Sequence, residues 1–186
     1  MRDFPCDPKL APADCNGGRR ARDSISCVVV HQTAGGSASP PPGSNAANYL
    51  KHRPDGSAHI VLDSKLCYRL LGDSYIACHV REANPWTLGI EMTGAPRTRL
   101  WWKTRAARKM LDRCAYRVAV WLQKYALPNS FLTAAELDRG ARRGWTTHAE
   151  LSRSKVTTST HVDPIGFPRK RFRRMVTGSI TSRICF

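Results

Sequence analysis

Residues 144–168 read GWTTHAELSRSKVTTSTHVDPIGFP and place two histidines and an aspartate within one polar, turn-rich segment. His148 and Asp163 lie too far apart in the chain to share one helical face, so they can meet only if the chain between them folds back. Imidazole nitrogen and carboxylate oxygen are ligands that suit zinc. The segment is therefore predicted to be a metal-site loop, with the Asp163-Pro164 pair as its rigid exit.

Two ligands make a weak site, so a third ligand is needed from elsewhere in the chain. His31 is the best candidate. It follows the apolar run CVVV at 27–30, which is typical of a buried strand, and it precedes the loop QTAGG at 32–36. A histidine at the point where a strand opens into a glycine loop is expected at a sheet edge, where it can meet a ligand.

Five motifs occur in the order seen in zinc-dependent N-acetylmuramoyl-L-alanine amidases, and the chain resembles that family from about residue 24 to residue 168. The motifs are HQT at 31–33, SAHIVLD at 57–63, LGIE at 88–91, His148, and HVDP at 161–164. The family includes phage endolysins, bacterial amidases and animal peptidoglycan-recognition proteins. The resemblance implies an α/β domain with a central mixed β-sheet flanked by α-helices. It also implies hydrolysis of the amide between N-acetylmuramic acid and L-alanine in peptidoglycan, with Zn²⁺ as cofactor.

The resemblance also implies roles for particular residues. His31, His148 and Asp163 match the three metal-ligand positions, and three protein ligands are typical of a catalytic zinc with one open place. Glu91 matches the glutamate that holds and deprotonates the attacking water. His161 stands where the family more usually has a lysine that stabilises the oxyanion, and a histidine can donate the same hydrogen bond.

Further residues are expected to line the groove or to support the ligands from behind: Thr33, His59, His79 and Asn84. Neutral donors and acceptors such as Thr33 and Asn84 suit sugars and peptide amides. Structural explanations remain open beside these roles. His59 can equally be a core histidine, and Glu91 can be half of a structural ion pair with an arginine.

Hydrophobic periodicity predicts the remaining elements. Residues 104–126 repeat apolar positions at helical spacing and form the clearest predicted helix, whose apolar stripe needs a sheet to cover. A second helix is predicted from Thr133, with a capping box, to near Gly140. A short helix is expected over 45–52, with Ala46, Tyr49 and Leu50 inward. Strands are expected over 57–63 and 67–71, as a hairpin, and over 76–80 and 87–92.

Domain organisation is expected to be simple. At 186 residues the chain is long enough for one core. Residues 1–23 are predicted to be an irregular N-terminal arm, and residues 24–186 the amidase domain, which ends in a basic C-terminal tail. The seven cysteines form no CxxC pair. Cys27 and Cys114 are expected in the core, whereas a Cys6–Cys15 or a Cys67–Cys78 bridge remains open.

Charge is the strongest feature of the composition. Lys and Arg number 30 against 14 Asp and Glu, a formal net charge of +16. Such a surface attracts polyanions, and the anionic polymers of a cell wall are the expected partner beside peptidoglycan. A nucleic-acid-binding protein, suggested by RKRFRR at 169–174, is an alternative without a supporting motif. A non-catalytic peptidoglycan-recognition protein is another. No secretory signal or membrane span is recognised, so we expect a monomer made in a host cytoplasm, such as a phage endolysin, that acts on the wall.

Overall fold

The computed structural model describes residues 13–33, 43–94 and 99–184. The strands in these ranges are β1 (Asn16–Arg19), β2 (Cys27–Gln32), β3 (Ile60–Leu62), β4 (Cys67–Arg69), β5 (Tyr75–Ala77), β6 (Thr87–Met92) and β7 (Gly144–Thr147). The α-helices are α1 (Gly43–His52), α2 (Arg105–Lys124), α3 (Ala134–Asp138), α4 (His148–Arg153) and α5 (Arg169–Ile184). Of the helices in the described ranges, none combines the length and apolar character needed to cross a bilayer.

The main sheet has the strand order β4-β3-β6-β2-β7. Strand β2 runs parallel to β6 and β7, and β3 runs parallel to β6. Strand β4 is antiparallel to β3, as the predicted hairpin required. The sheet is therefore mixed, with helices packed on it, and the predicted α/β fold is confirmed.

One face of the main sheet is apolar and carries α2 and α5. Alternate residues of the central strands join the stripe of α2 in one buried cluster, because successive strand residues point to opposite faces. From the strands it contains Val28, Val30, Leu88, Ile90 and Met92, and from α2 it contains Met110, Leu111, Cys114, Val118, Trp121 and Leu122. The side chain of Thr104 caps α2 by accepting from the Ala107 backbone N–H at 3.2 Å. The predicted long helix is confirmed.

The opposite face carries two smaller apolar clusters instead of one. The first includes Ala46, Ala47 and Leu50 of α1 together with Val61 and Leu70. The second joins the β2 residues Cys27 and Val29 to residues of α3 and α4, with Leu137 and Leu151 among them. Elements that do not share a single core leave room between them, and a cleft opens on this face of the sheet.

The N-terminal prediction was wrong for the residues that can be described. Strand β1 pairs antiparallel with β5, and Ala13 is buried. The Arg20 guanidinium donates to the backbone carbonyls of Asp73 and Thr87 at 3.0 and 2.6 Å. Burial lowers the pKa of Arg20 to about 10. The reason for the error is that NGGR at 16–19 has no apolar alternation and is held by backbone pairing. Residues 1–12 lie outside the described part of the chain.

The C-terminal prediction was also wrong, because the basic tail is helix α5. Its charged residues alternate with apolar ones, and Phe172 and Val176 are fully buried in the main cluster. Cations in RKRFRR hide this stripe from a count of hydrophobic residues. Helix α5 packs along α2 and completes the apolar layer.

Three smaller predictions also need correction. The segment 144–168 is not only a loop, since β7 and α4 lie within it. Tyr49 is 62% exposed, because the buried face of α1 runs through Ala47 instead. Strand β5 is shorter than predicted and ends at Ala77.

The cysteines differ in their state. Cys67 is disulfide-bonded, whereas Cys15 and Cys78 are free thiols. Neither of the two bridges considered from the sequence is therefore formed. Cys27 and Cys114 are buried free thiols in the apolar clusters, as expected.

Candidate metal centre and its cleft

Three neighbouring parallel strands end at the candidate centre. His31 lies near the end of β2 and is in register with Glu91 on β6, so the two side chains stand on the same face of the sheet. His148 is the first residue of α4 and follows directly on β7, the other neighbour of β2. The carboxyl ends of parallel strands are where ligands bind in open α/β sheets.

Asp163 reaches this point because the chain after α4 folds back. The Asp163 carbonyl accepts from the Ala149 backbone N–H at 2.8 Å. Its side-chain Oδ1 accepts from the Gln32 backbone N–H, also at 2.8 Å. Backbone groups of α4 and β2 thus hold the carboxylate beside both histidines.

The donor atoms of His31, His148 and Asp163 converge. The two Nδ1 atoms are 3.0 Å apart, and Asp163 oxygens lie 3.7 Å from His31 Nδ1 and 3.1 Å from His148 Nδ1. Tetrahedral zinc with ligands at about 2.1 Å needs donor atoms roughly 3.4 Å from one another. The three residues therefore fit a zinc ion without rearrangement.

Electrostatics favour the ligand forms of these side chains. Burial, and next the neighbouring His148, hold the pKa of His31 well below its ordinary value, so His31 is neutral. The pKa of Asp163 is lowered: burial opposes this, but the hydrogen bond from His148 and the nearby His31 outweigh it. Metal ligands must be neutral imidazoles and ionised carboxylates.

Glu91 stands beside the three donors. Its Oε1 lies 3.9 Å from His31 Nδ1, and burial together with Asp163 raises its pKa well above the ordinary value. Its Oε2 is buried without a hydrogen-bond partner among the described residues, as is Nε2 of the cleft residue Gln32. In the described part of the chain the close ion pair of Glu91 is with His31, not with an arginine. Unpaired buried polar atoms indicate a place for a ligand.

His161 occupies the open side of the centre. Its ring is exposed and stacks on His148, with centroids 4.9 Å apart and ring planes 6° from parallel. It lines the cleft together with the three candidate ligands and Glu91. A donor in this position can reach a bound substrate without leaving the metal site.

The other predicted residues divide into two groups. Thr33, His79 and Asn84 line the cleft, whose volume is about 690 Å³. Asn84 Oδ1 is already used, since it accepts from the backbone N–H groups of His79 and Val80 at 3.0 and 2.7 Å. His59 is fully buried and does not line the groove.

His59 is a core histidine, the structural explanation that the sequence left open. Its Nδ1 accepts from the Gly89 backbone N–H at 3.0 Å, and its Nε2 is 2.8 Å from the Arg20 guanidinium. Burial, and next Arg20, lower its pKa to about 3.

Sequence reasoning missed Ser159, whose Oγ lies 2.7 Å from His148 Nε2. It also missed the contribution of α1, because Asn45, Tyr49 and Arg53 line the cleft from that helix. The only signal in the sequence was the position of Ser159 two residues before His161. A hydroxyl behind a ligand histidine holds the ring in place.

Comparison with known proteins gives the family. Residues 21–165 match the family model described as N-acetylmuramoyl-L-alanine amidase. The chain belongs to this family. It is an amidase that acts on peptidoglycan, and the predicted family and activity are confirmed. Among curated proteins no match was found.

Solved structures share the fold of this amidase at low sequence identity. The hydrolase AmiA of Staphylococcus aureus, in complex with its ligand, superposes with a TM-score of 0.72 and 15% identity over 97% of this chain and 87% of that one. A mutant endolysin from Bacillus subtilis gives 0.60 and 16% over 94% and 99%. The amidase LysCS from Clostridium intestinale gives 0.56 and 13% over 91% and 96%.

Proposed function

We propose that this amidase is zinc-dependent and cleaves the amide between the lactyl group of N-acetylmuramic acid and the L-alanine of the stem peptide. His31, His148 and Asp163 hold the metal. The observation that carries the proposal is the convergence of their donor atoms, with separations of 3.0, 3.7 and 3.1 Å. When bound, zinc supplies a Lewis acid that polarises the scissile carbonyl and lets water react near neutral pH.

Glu91 is proposed as the general base. Its Oε1 is within reach of the metal ligands, and its Oε2 has no partner among the described residues, so the carboxylate is free to hold a water molecule. Glu91 takes the proton that the attacking water loses and can return it to the departing amine. Replacing Glu91 by glutamine keeps the shape and removes the base, so we expect a loss of about 10²–10⁴-fold in kcat.

His161 is proposed as the oxyanion donor. Stacking on His148 places its ring at the open side of the centre, where an N–H can point at the carbonyl oxygen as negative charge develops there. Thr33 and Asn84 are proposed to contact the substrate along the cleft. A cleft of about 690 Å³ lies in the usual size range for a bound ligand.

The biological role that we propose is that of a phage endolysin, which acts as a monomer on the host wall. Two of the structurally similar proteins described above are themselves named endolysins. The formal charge of +16 supports attraction to anionic wall polymers. Part of that charge lies on α5, in the group Arg169, Lys170, Arg171, Arg173 and Arg174.

The wall-attraction step has its own test. Binding of the enzyme to purified walls should weaken as salt shortens the Debye length below about 8 Å. Replacing the five basic α5 residues together by glutamine should flatten that dependence, while a variant with surface changes on another helix keeps it. Binding that is independent of salt would remove the basic surface from the proposal.

The decisive experiment pairs metal analysis with the chemistry of the products. Purified protein should contain about one zinc per chain. Digested peptidoglycan should release L-alanine amino termini and no new reducing sugar ends. Cleavage at full rate by verified metal-free protein would refute the zinc proposal. Wall binding without zinc and without new amino termini would instead indicate a non-catalytic recognition protein.

A further inference from the structure

Behind His31 runs a line of hydrogen-bonding groups that no assigned role explains. His31 Nε2 lies 2.9 Å from His79 Nδ1, and His79 Nε2 lies 3.0 Å from Thr87 Oγ1. The Thr87 hydroxyl in turn donates to the Ala83 carbonyl at 2.8 Å. We call this series, from Ala83 through Thr87 and His79 to His31, the imidazole chain.

The number of hydrogens decides the direction of the imidazole chain. The Ala83 carbonyl has no hydrogen to give, so the single hydroxyl hydrogen of Thr87 must fill the 2.8 Å contact between them. Thr87 Oγ1 can then only accept, and it accepts from Nε2–H of His79. A neutral His79 has its second nitrogen, Nδ1, bare, so that nitrogen accepts from Nε2–H of His31.

In the reverse arrangement two oxygen lone pairs would face each other at the Ala83 contact. Burial also holds the pKa of both His31 and His79 well below the ordinary value, which keeps both rings neutral. With one hydrogen for each of three contacts, the only ring nitrogen left bare at the end is His31 Nδ1. That atom is the one that faces His148 and Asp163.

We infer that Thr87 and His79 are positioning residues that set the tautomer of His31 and present its bare Nδ1 to the metal. This inference rests on the proposed zinc site and adds residues to it. Its support is geometric, because Thr87 is fully buried on the strand that carries Glu91, two strand pairs of residues away on the same face. A neutral ligand with a fixed tautomer needs no proton loss or ring flip when the metal enters.

Gly89 is the position that makes room for the imidazole chain. It lies between Thr87 and Glu91 on the same face of β6, and a Cβ there would stand 2.7 Å from His79 Nδ1. Any side chain at residue 89 would push the imidazole off its two partners. The glycine in the LGIE motif therefore has a steric reason that concerns the metal ligand.

The first readout needs no metal and no activity. Protein with ¹⁵N-labelled histidine, freed of metal, is studied by long-range ¹H–¹⁵N correlation, which shows the nitrogen that carries the hydrogen. We expect His31 and His79 both to carry it on Nε2. A hydrogen on Nδ1 of His31 in the wild-type protein would overturn the inference.

The second readout is zinc affinity in competition with a chelator. Thr87→Val keeps the side-chain shape and removes the acceptor, so zinc affinity should fall about 10–100-fold and His31 should show mixed tautomers. Thr87→Ser restores the hydroxyl and should recover both. Unchanged affinity and tautomer in Thr87→Val would refute the imidazole chain.

A second pair of variants covers the case in which Thr87→Val does not fold. His79→Asn keeps an acceptor near the position of Nδ1, and His79→Leu does not, so only His79→Leu should lose zinc affinity. Equal affinities would refute the inference. Wild-type protein that binds no zinc but carries hydrogen on His31 Nε2 would refute the zinc proposal and leave the imidazole chain in place.

Discussion

The two faces of the main sheet are built from the same strands and behave as opposites. On the face under α2 and α5, residues such as Val30 and Ile90 are fully buried among hydrocarbon. On the other face their neighbours His31 and Glu91 leave donor and acceptor atoms turned toward a cleft, and Glu91 Oε2 has no partner among the described residues. One face stabilises the fold by removing apolar area from water, and the other retains unpaired polar groups that a metal and a substrate can use.

The difference teaches where a substitution should act. A change on the helix face should alter the free energy of unfolding and leave the chemistry of the folded molecules intact. A change on the cleft face should alter metal content or kcat and leave stability nearly intact. The following predictions test that separation.

The largest effect is expected from a ligand. Asp163→Ala removes the carboxylate that lies within 3.7 Å of both ligand histidines, so zinc content and lysis should both fall to background. Elemental analysis and release of amino termini measure the two. His161→Ala is the control that should keep its zinc. Zinc retained in Asp163→Ala but lost in His161→Ala would mean that the third ligand is His161.

The next effect belongs to the helix face. Phe172 is fully buried between α5 and the sheet, and Phe172→Ala should lower the free energy of unfolding by about 3–5 kcal/mol. Denaturant titration measures this, with kcat per folded molecule unchanged. Arg174→Ala, on the exposed side of the same helix, should change stability by no more than about 0.5 kcal/mol. A small effect of Phe172→Ala would show that α5 is not part of the core.

A third effect concerns the oxyanion donor. His161→Ala should lose on the order of 10²–10³ in kcat, while zinc content and unfolding free energy stay as in the wild type. His161→Lys should recover part of the rate. The recovery should be greatest at alkaline pH, because an ammonium keeps its proton to higher pH than an imidazolium does. A pH–rate profile of His161→Lys no better than that of His161→Ala would argue against the role.

The smallest effect is a slope in acid, and it comes from His59. Its pKa is about 3 in the folded protein, against about 6.5 when unfolded. Between these values the unfolded chain binds the extra proton, so stability is full above about pH 6.5. It falls by about 1.4 kcal/mol per pH unit below that. Metal-free His59→Gln should show a slope shallower by one proton in denaturant titrations across this range, and an equal slope would contradict the assignment.

The helix face was largely predictable from the sequence. The apolar stripe of α2 and the alternation in β2 and β6 record burial residue by residue, because each position either faces hydrocarbon or does not. Helix α5 escaped because its buried residues, Phe172 and Val176, stand among arginines. Strand β1 escaped because backbone hydrogen bonds hold it, and these leave no mark on side-chain pattern.

For the cleft face, the sequence by itself determined which residue types are available: the ordered motifs name the histidines, Asp163 and Glu91, and their resemblance to the amidases names the chemistry. Only the tertiary structure decided which of them meet. It brought His31, His148 and Asp163 together, assigned His59 to the core and placed Thr87 behind His79. Hydrophobic burial acts on one residue at a time and leaves a period in the chain, whereas a hydrogen bond or a metal site depends on atoms from distant segments coming within about 3 Å of one another. That distance is set by the packing of whole elements and cannot be read from spacing.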